Sequence, residues 1–148
     1  MRKIKICVSC INGYLTYDFI QSLRNQNDFK SFLIGIDMIE RNKGKILCDK
    51  FYRVNDPKNE KKYIYDLIKI YRKEKFDIFF PLSDLESFVV LKNIDKLEKL
   101  NIKFKLPSKN YETAKLLYDK IKFLNFCKLN NINVGKFKII SNYNSLLK

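Results

Sequence analysis

The chain has 148 residues, 46% of them hydrophobic, which allows one well-buried core and excludes intrinsic disorder. No apolar run reaches the roughly 20 residues that cross a bilayer. The N-terminus Met1-Arg2-Lys3-Ile4 runs straight into a strand pattern without a signal peptide's apolar region. The expected location is therefore the cytoplasm, with no membrane partner. Net charge is +14, from 30 basic against 16 acidic residues. The lysines are spread from Lys3 to Lys148 and form no single block, the pattern of solvated helix faces, so a nucleic-acid partner is not expected.

Lys3 to Ser9 reads as a first strand, Cys10-Ile11-Asn12-Gly13 as a turn, and Tyr14 to Asn25 as a helix with Leu15, Phe19, Ile20 and Leu23 at helical spacing. The turn has one glycine, Gly13, where a dinucleotide fingerprint needs several for close approach to a pyrophosphate. It can still offer N–H groups to an anion at a helix N-terminus. Ser31 to Ile36 is a second strand ending at Asp37, where dinucleotide folds carry a ribose-binding carboxylate; a turn or cap role is the alternative. A charged loop from Glu40 to Lys45 leads to a third strand around Phe51 to Val54. After the turn Asn55-Asp56-Pro57, Lys61 to Lys75 is a helix with Ile64, Leu67, Ile68 and Tyr71 on one face.

Asp77 to Glu86 is the centre of the pattern. Its apolar run from Ile78 to Phe80, stopped by Pro81, predicts a strand covered on both faces. Ser83 or Asp84 can cap the helix predicted from Asp84 to Leu100. Carboxylates thus stand at the carboxyl end of a central strand, where open α/β sheets bind ligands. Asn101 to Leu106 alternates and predicts a fifth strand at an edge, stopped by Pro107. Ser108 is placed as the cap of a helix carrying Tyr111, Ala114 and Leu117, and a second helix runs from Asp119 to Leu129. Lys136 to Ile140 reads as one more strand, without an obvious neighbour, and Ser141 to Lys148 as the beginning of a domain. The free edge and the segment after Asn133 leave a homodimer open.

Strands alternating with helices give an α/β fold, a doubly wound, mostly parallel five-stranded Rossmann-like sheet over residues 1–107. Residues 108–148 are expected to be a helical linker and the start of a second domain. With no histidine there is no imidazole base and no Ser-His-Asp or Cys-His arrangement. Cys7 and Cys10 form a Cys-x-x-Cys, readable as a redox pair or as buried thiols, while Cys48 and Cys127 are singles, short of a zinc set. No metal ligand or catalytic residue is assigned.

Three segments together resemble a known group. Asp49-Lys50-Phe51-Tyr52-Arg53-Val54, then Asp77 to Glu86, then Asp119-Lys120 leading to Asn131-Ile132-Asn133-Val134 are similar to the amino-terminal part of an ATP-grasp ligase of the carbamoyl-phosphate-synthase large-subunit type. The resemblance implies a Rossmann-like pre-ATP-grasp domain preceding the ATP-grasp fold. It gives Lys120 the position of a residue that reaches ATP phosphates, and sets Asn12, Gly13, Ser83, Asp84 and Glu86 near the substrate. For Asp84 and Glu86, helix capping and dipole compensation are the alternative. It further implies that a full-length parent uses ATP and Mg2+ to join a carboxylate to an amine through an acyl phosphate. This chain is similar to its amino-terminal portion only, depends on the missing ATP-grasp domain, and is expected to bind neither ATP nor Mg2+ tightly alone. The first turn lacks the family's glycine-rich run, and Gly135 stands where a proline is common. The alternative is a stand-alone Rossmann-like module binding a nucleotide or nucleic acid.

Overall fold

The computed structural model describes residues 3–140. Strands β1 (Lys3–Val8), β2 (Lys30–Asp37), β3 (Lys50–Arg53) and β4 (Ile78–Phe80) lie in the spatial order β3-β2-β1-β4, and every pairing is parallel. The helices are α1 (Thr16–Asn25), α2 (Glu60–Glu74), α3 (Asp84–Lys92), α4 (Ile94–Lys99), α5 (Tyr111–Tyr118) and α6 (Lys120–Leu129). The doubly wound, Rossmann-like α/β class expected from the sequence is the observed one.

Alternate residues of the strands feed two cores. Ile6, Val8 and Leu33 pack with Ile11 and Ile20 on the α1 side. Cys7, Ile34, Ile36 and Phe79 face the opposite side, against Tyr63, Ile64 and Leu67 of α2, Val89 and Val90 of α3, and Leu97 of α4. This two-sided burial is why the strands carry near-continuous apolar runs. Tyr71, Phe76, Phe79 and Phe104 form an aromatic cluster at the β4 edge, with ring centroids 5.1–6.1 Å apart. The chain runs from β1 through β2 to β3 on one side and then returns to place β4 on the other side of β1. The topological switch point, where such sheets usually bind ligands, is therefore between the carboxyl ends of β1 and β4.

Several expectations need correction. The fifth strand reduces to one bridge, Lys105 against Ile78, in which Lys105 N–H donates to Asp77 O (2.8 Å) and Phe79 N–H donates to Lys105 O (2.9 Å). Ile102 and Phe104 bury as the alternation requires, but the segment does not follow β4 long enough to make a ladder. The helix predicted over Asp84 to Leu100 is two helices. Asn93 breaks it, its amide donating to Val89 O (2.9 Å) and to Glu60 Oε1 (3.0 Å). A side chain bonding its own helix backbone competes with the helical ladder. The cap after Pro107 is Asn110, which accepts from Thr113 N–H (2.9 Å), while Ser108 Oγ accepts from Asn110 N–H (3.2 Å). Lys136 to Ile140 is not a strand. An alternating stretch without a neighbouring edge has no partner for its backbone. Within the charged loop, Lys43–Leu47 forms a short 3-10 helix. Ser141 to Lys148 lies outside the described residues.

The helices after Pro107 are attached to the sheet domain. Phe88 of α3 stacks on Tyr118 (5.1 Å, 8° between planes) and on Tyr111 (5.7 Å, 23°) of α5. No helix of the described residues is long and apolar enough to cross a membrane.

Candidate functional site at the carboxyl ends of the strands

Ser83 is the N-cap of α3, accepting from Glu86 N–H (3.2 Å). Glu86 returns the contact, its Oε2 accepting from Ser83 Oγ (2.9 Å), so the two close the start of the helix between them. The same carboxylate accepts from Ser9 Oγ (2.6 Å) beyond β1 and, through Oε1, from Tyr63 Oη (3.1 Å) of α2. Ser9 Oγ also accepts from Leu82 N–H (3.1 Å), and Ser9 N–H donates to Phe80 O (3.0 Å). Glu86 is 5% exposed, and Ser9 and Tyr63 are fully buried. One carboxylate thus ties β1, α2 and the β4–α3 turn together and fills the switch-point crevice from inside. Burial pushes the Glu86 carboxyl above its usual range; hydrogen bonds from Ser9, Ser83 and Tyr63 oppose the rise, and the charge of Asp37 adds to it.

The β1–α1 turn is occupied by its own bonds. Cys10 adopts a left-handed backbone (φ 54°), Gly13 N–H donates to Cys10 O (2.9 Å), and Thr16 Oγ1 donates to the same carbonyl (2.8 Å). Asn12 N–H donates to Asp37 Oδ2 (3.0 Å), while Asp37 Oδ1 accepts from Ile39 N–H (2.8 Å). Asp37 is buried and holds two turns with its two oxygens, the role of a turn residue. Gly44 lies against the turn so closely that a Cβ there would stand 2.0 Å from Ile11 O. The N–H groups of Asn12 and Gly13 are spent inside the protein, so this turn is a poor cradle for a pyrophosphate. Asn12 itself is exposed and Gly13 half-buried.

Asp84 and Lys120 come together. Lys120 Nζ donates to Asp84 Oδ2 and to Leu117 O (3.0 Å), joining the first turn of α3 to the start of α6. Both side chains are exposed, 66% for Lys120 and 51% for Asp84. Asp119 caps α6, accepting from Lys122 N–H (3.1 Å). A cleft of about 160 Å3 opens beside Asp84 between α3 and α5, with Ser87, Thr113 and Leu117 on its walls.

Of the residues singled out in the sequence, Ser83, Asp84 and Glu86 share the start of α3, and Lys120 joins them through Asp84. Asn12 and Gly13 belong to the neighbouring turn and engage Asp37 and Cys10. Ser9 and Tyr63 were missed. Tyr63 sits among apolar positions of α2 and reads there as core, and no local pattern links it to Glu86. Among the described residues no three acidic or cysteine side chains form a group able to hold a metal ion. All four cysteines are free. Cys7 is fully buried and its thiol pushed well up by burial; Cys48 is pushed up to about 11 by burial; Cys10 is raised by burial and by the charges of Glu86 and Asp37. Such thiols are poor nucleophiles.

No family model matches the chain, and no curated protein matches it. Among solved structures, it is similar to glycinamide-RNase-transformylase T from Mycobacterium tuberculosis, with a TM-score of 0.61, 10% identity, 84% of this chain covered and 34% of that chain. It also matches the UDP-Glc/GlcNAc 4-epimerase of Campylobacter jejuni (TM-score 0.46, 15% identity, 87% and 50% covered) and the PbgP3 protein of Burkholderia pseudomallei (0.44, 12%, 86% and 50%). The chain spans about a third to a half of the length of these structures. At such identities the likeness concerns the fold alone, a Rossmann-like α/β sheet.

Proposed function

We propose that this chain is the amino-terminal, Rossmann-like domain of an ATP-dependent carboxylate–amine ligase of the ATP-grasp type, close to the carbamoyl-phosphate-synthase large subunit. The observation that carries the reading is the meeting of two of the resembling segments: Asp84 at the tip of β4–α3 and Lys120 at the start of α6 form one exposed ion pair. Residues distant in sequence that the resemblance assigns to substrate and ATP are neighbours in space. The fold likeness to a third of a longer transformylase chain supports the view that such a sheet can serve as one part of an enzyme.

In this reading Lys120 exchanges Asp84 for a phosphate oxygen when ATP is present. A compact ammonium on a flexible stem suits that exchange. Asp84 then faces the substrate side of α3. Glu86, buried under three hydroxyls, positions Ser83 and the strand ends and does not itself meet substrate. Mg2+ would be held by ATP and by carboxylates of an ATP-grasp fold, since near Lys120 the described residues offer Asp84 and Asp119 but no group of three side chains able to hold a metal ion. Chemistry therefore requires that second domain, and the carboxylate and amine substrates bind where the two domains meet.

The test is ADP release by the 148-residue chain with Mg-ATP and mixed carboxylates and amines. No turnover above background is expected. ATP-dependent ligation by this chain alone would overturn the assignment to one domain of a two-part catalyst.

A further inference from the structure

The lysines that look scattered along the sequence are gathered by the fold. In a parallel sheet all strand beginnings lie along one edge, and here Lys3 of β1 and Lys30 of β2 are direct register partners. The bridge of Lys105 to Ile78 brings Lys103 and Lys105 alongside β4, and Lys75 ends α2 just before that strand. All five side chains are exposed, and none forms an ion pair among the described residues.

Most acidic groups of this edge are engaged within the protein; the exposed Asp28, two residues before Lys30, forms no ion pair among the described residues and is outnumbered by the five lysines. Glu74 is 2% exposed and accepts from Lys50 Nζ at 2.9 Å through both oxygens, and from Tyr52. Asp49 accepts from Arg24 (2.8 Å) and from Leu33 N–H (2.7 Å), and Asp77 from Lys5 N–H (2.9 Å). Glu98 faces Lys109 at 3.8 Å. Lys75, Lys103 and Lys105 line a cleft of about 650 Å3 that runs under the amino ends of β1 and β4. At strand spacings of about 4.8 Å, the row from Lys30 to Lys103 spans roughly 14 Å. That is room for about four phosphates of one strand at a 3.4 Å rise.

We propose that this amino edge binds the phosphate backbone of a nucleic acid, without reading its bases. The surface is opposite the Asp84–Lys120 pair and independent of the ligase reading. A lipid surface fits it less well: Tyr14, Leu15 and Ile46, three of the four most exposed large apolar side chains, stand around the turn that Gly44 covers, and the fourth, Leu129, ends α6. Buried aromatic rings in the cleft wall, Phe76 and Phe104, leave no exposed platform for base stacking.

The experiment is fluorescence anisotropy of a labelled 20-mer single strand, and of the same sequence as a duplex, titrated with the full 148-residue chain at several salt concentrations. The log affinity is expected to fall with log salt by about 0.7 for each phosphate neutralised, a slope of roughly −3 for the single strand. The triple variant Lys75→Gln, Lys103→Gln, Lys105→Gln should bind at least about tenfold more weakly and lose about two units of slope. A control of equal charge loss at the other edge, Lys58→Gln, Lys61→Gln, Lys62→Gln, should bind like the parent, with urea unfolding confirming that both variants are folded. Equal losses in the two variants would assign the binding to net charge and overturn the proposal. So would a salt-independent complex, or tighter association with phosphatidylserine vesicles than with either oligonucleotide.

Discussion

Replacing Glu86 by alanine tests the junction that closes the switch point. The substitution removes the acceptor of three hydroxyls, two of which, on Ser9 and Tyr63, are wholly buried and beyond the reach of water. A buried donor left without a partner costs about 1–3 kcal/mol. Two such groups and the lost volume give about 3–5 kcal/mol, a large part of the 5–15 kcal/mol that holds a domain folded. In urea unfolding followed by circular dichroism, with m near 2 kcal/mol/M, the midpoint should fall by roughly 2 M at unchanged m. The diagnostic is a change of sign. Tyr63→Phe should destabilise the parent by about 1 kcal/mol, yet stabilise Glu86→Ala, because there it removes an orphaned hydroxyl. If Tyr63→Phe destabilises both backgrounds alike, or if Glu86→Ala moves the midpoint by less than about 0.3 M, the junction is not held as described.

Other outcomes follow from the same geometry. Glu86, raised by burial in the folded chain, binds a proton there at pH values where the unfolded chain has released it, so its contribution to stability declines as pH rises from the ordinary carboxylate range through the folded value. Glu86→Gln should therefore gain on the parent as pH rises above the ordinary carboxylate value in urea titrations, and a parallel pH profile would contradict this. Glu74 behaves oppositely: burial raises it, but hydrogen bonds from Tyr52 and Lys50 prevail and hold it below its ordinary value, so its stabilisation is lost as pH falls through that folded value. Glu74→Gln should flatten the acid limb below about pH 4.5. Gly44→Ala, which drives a Cβ into Ile11 O, should cost about 1–3 kcal/mol and lower Tm by several degrees in a thermal melt; an unchanged Tm would mean that the 3-10 helix does not sit on the β1–α1 turn. Asp84→Ala should change stability by less than about 0.5 kcal/mol in the same melt, because the ion pair with Lys120 is exposed.

What the sequence revealed, it revealed through local physics. Ile78 to Phe80 stopped by Pro81, with Ser83 as cap, needs nothing beyond apolar continuity and a hydroxyl before a helix, and both are found as expected. The break at Asn93 was hidden because the apolar spacing of Leu91, Ile94 and Leu97 continues across it, whereas its cause lies in the amide's bonds to Val89 O of its own helix and to Glu60 of α2. The strands expected at Asn101–Leu106 and Lys136–Ile140 had suitable alternation. Alternation records which side faces a core, not whether a neighbouring backbone is within reach. Among site residues, Ser83 was legible as a cap and Glu86 as an acidic residue of the first helical turn, while their mutual bonds were not. The partners that make Glu86 a junction, Ser9 and Tyr63, come from other elements 77 and 23 residues away in the chain. The lysine-rich edge was illegible for the same reason. Even spacing along the sequence becomes clustering once parallel register aligns the strand beginnings.

The central claim, a Rossmann-like domain in which Lys120 leaves Asp84 to meet an ATP phosphate, is tested most directly by NMR titration of the isotope-labelled chain with Mg-ATP and, separately, with NAD. The account predicts weak, millimolar Mg-ATP shifts centred on Lys120, Asp84 and the first turn of α6, abolished by Lys120→Ala, with no saturable response to NAD. Tight, saturable NAD binding with shifts centred on Asn12, Gly13 and Asp37 would contradict it and establish a self-standing dinucleotide module in its place.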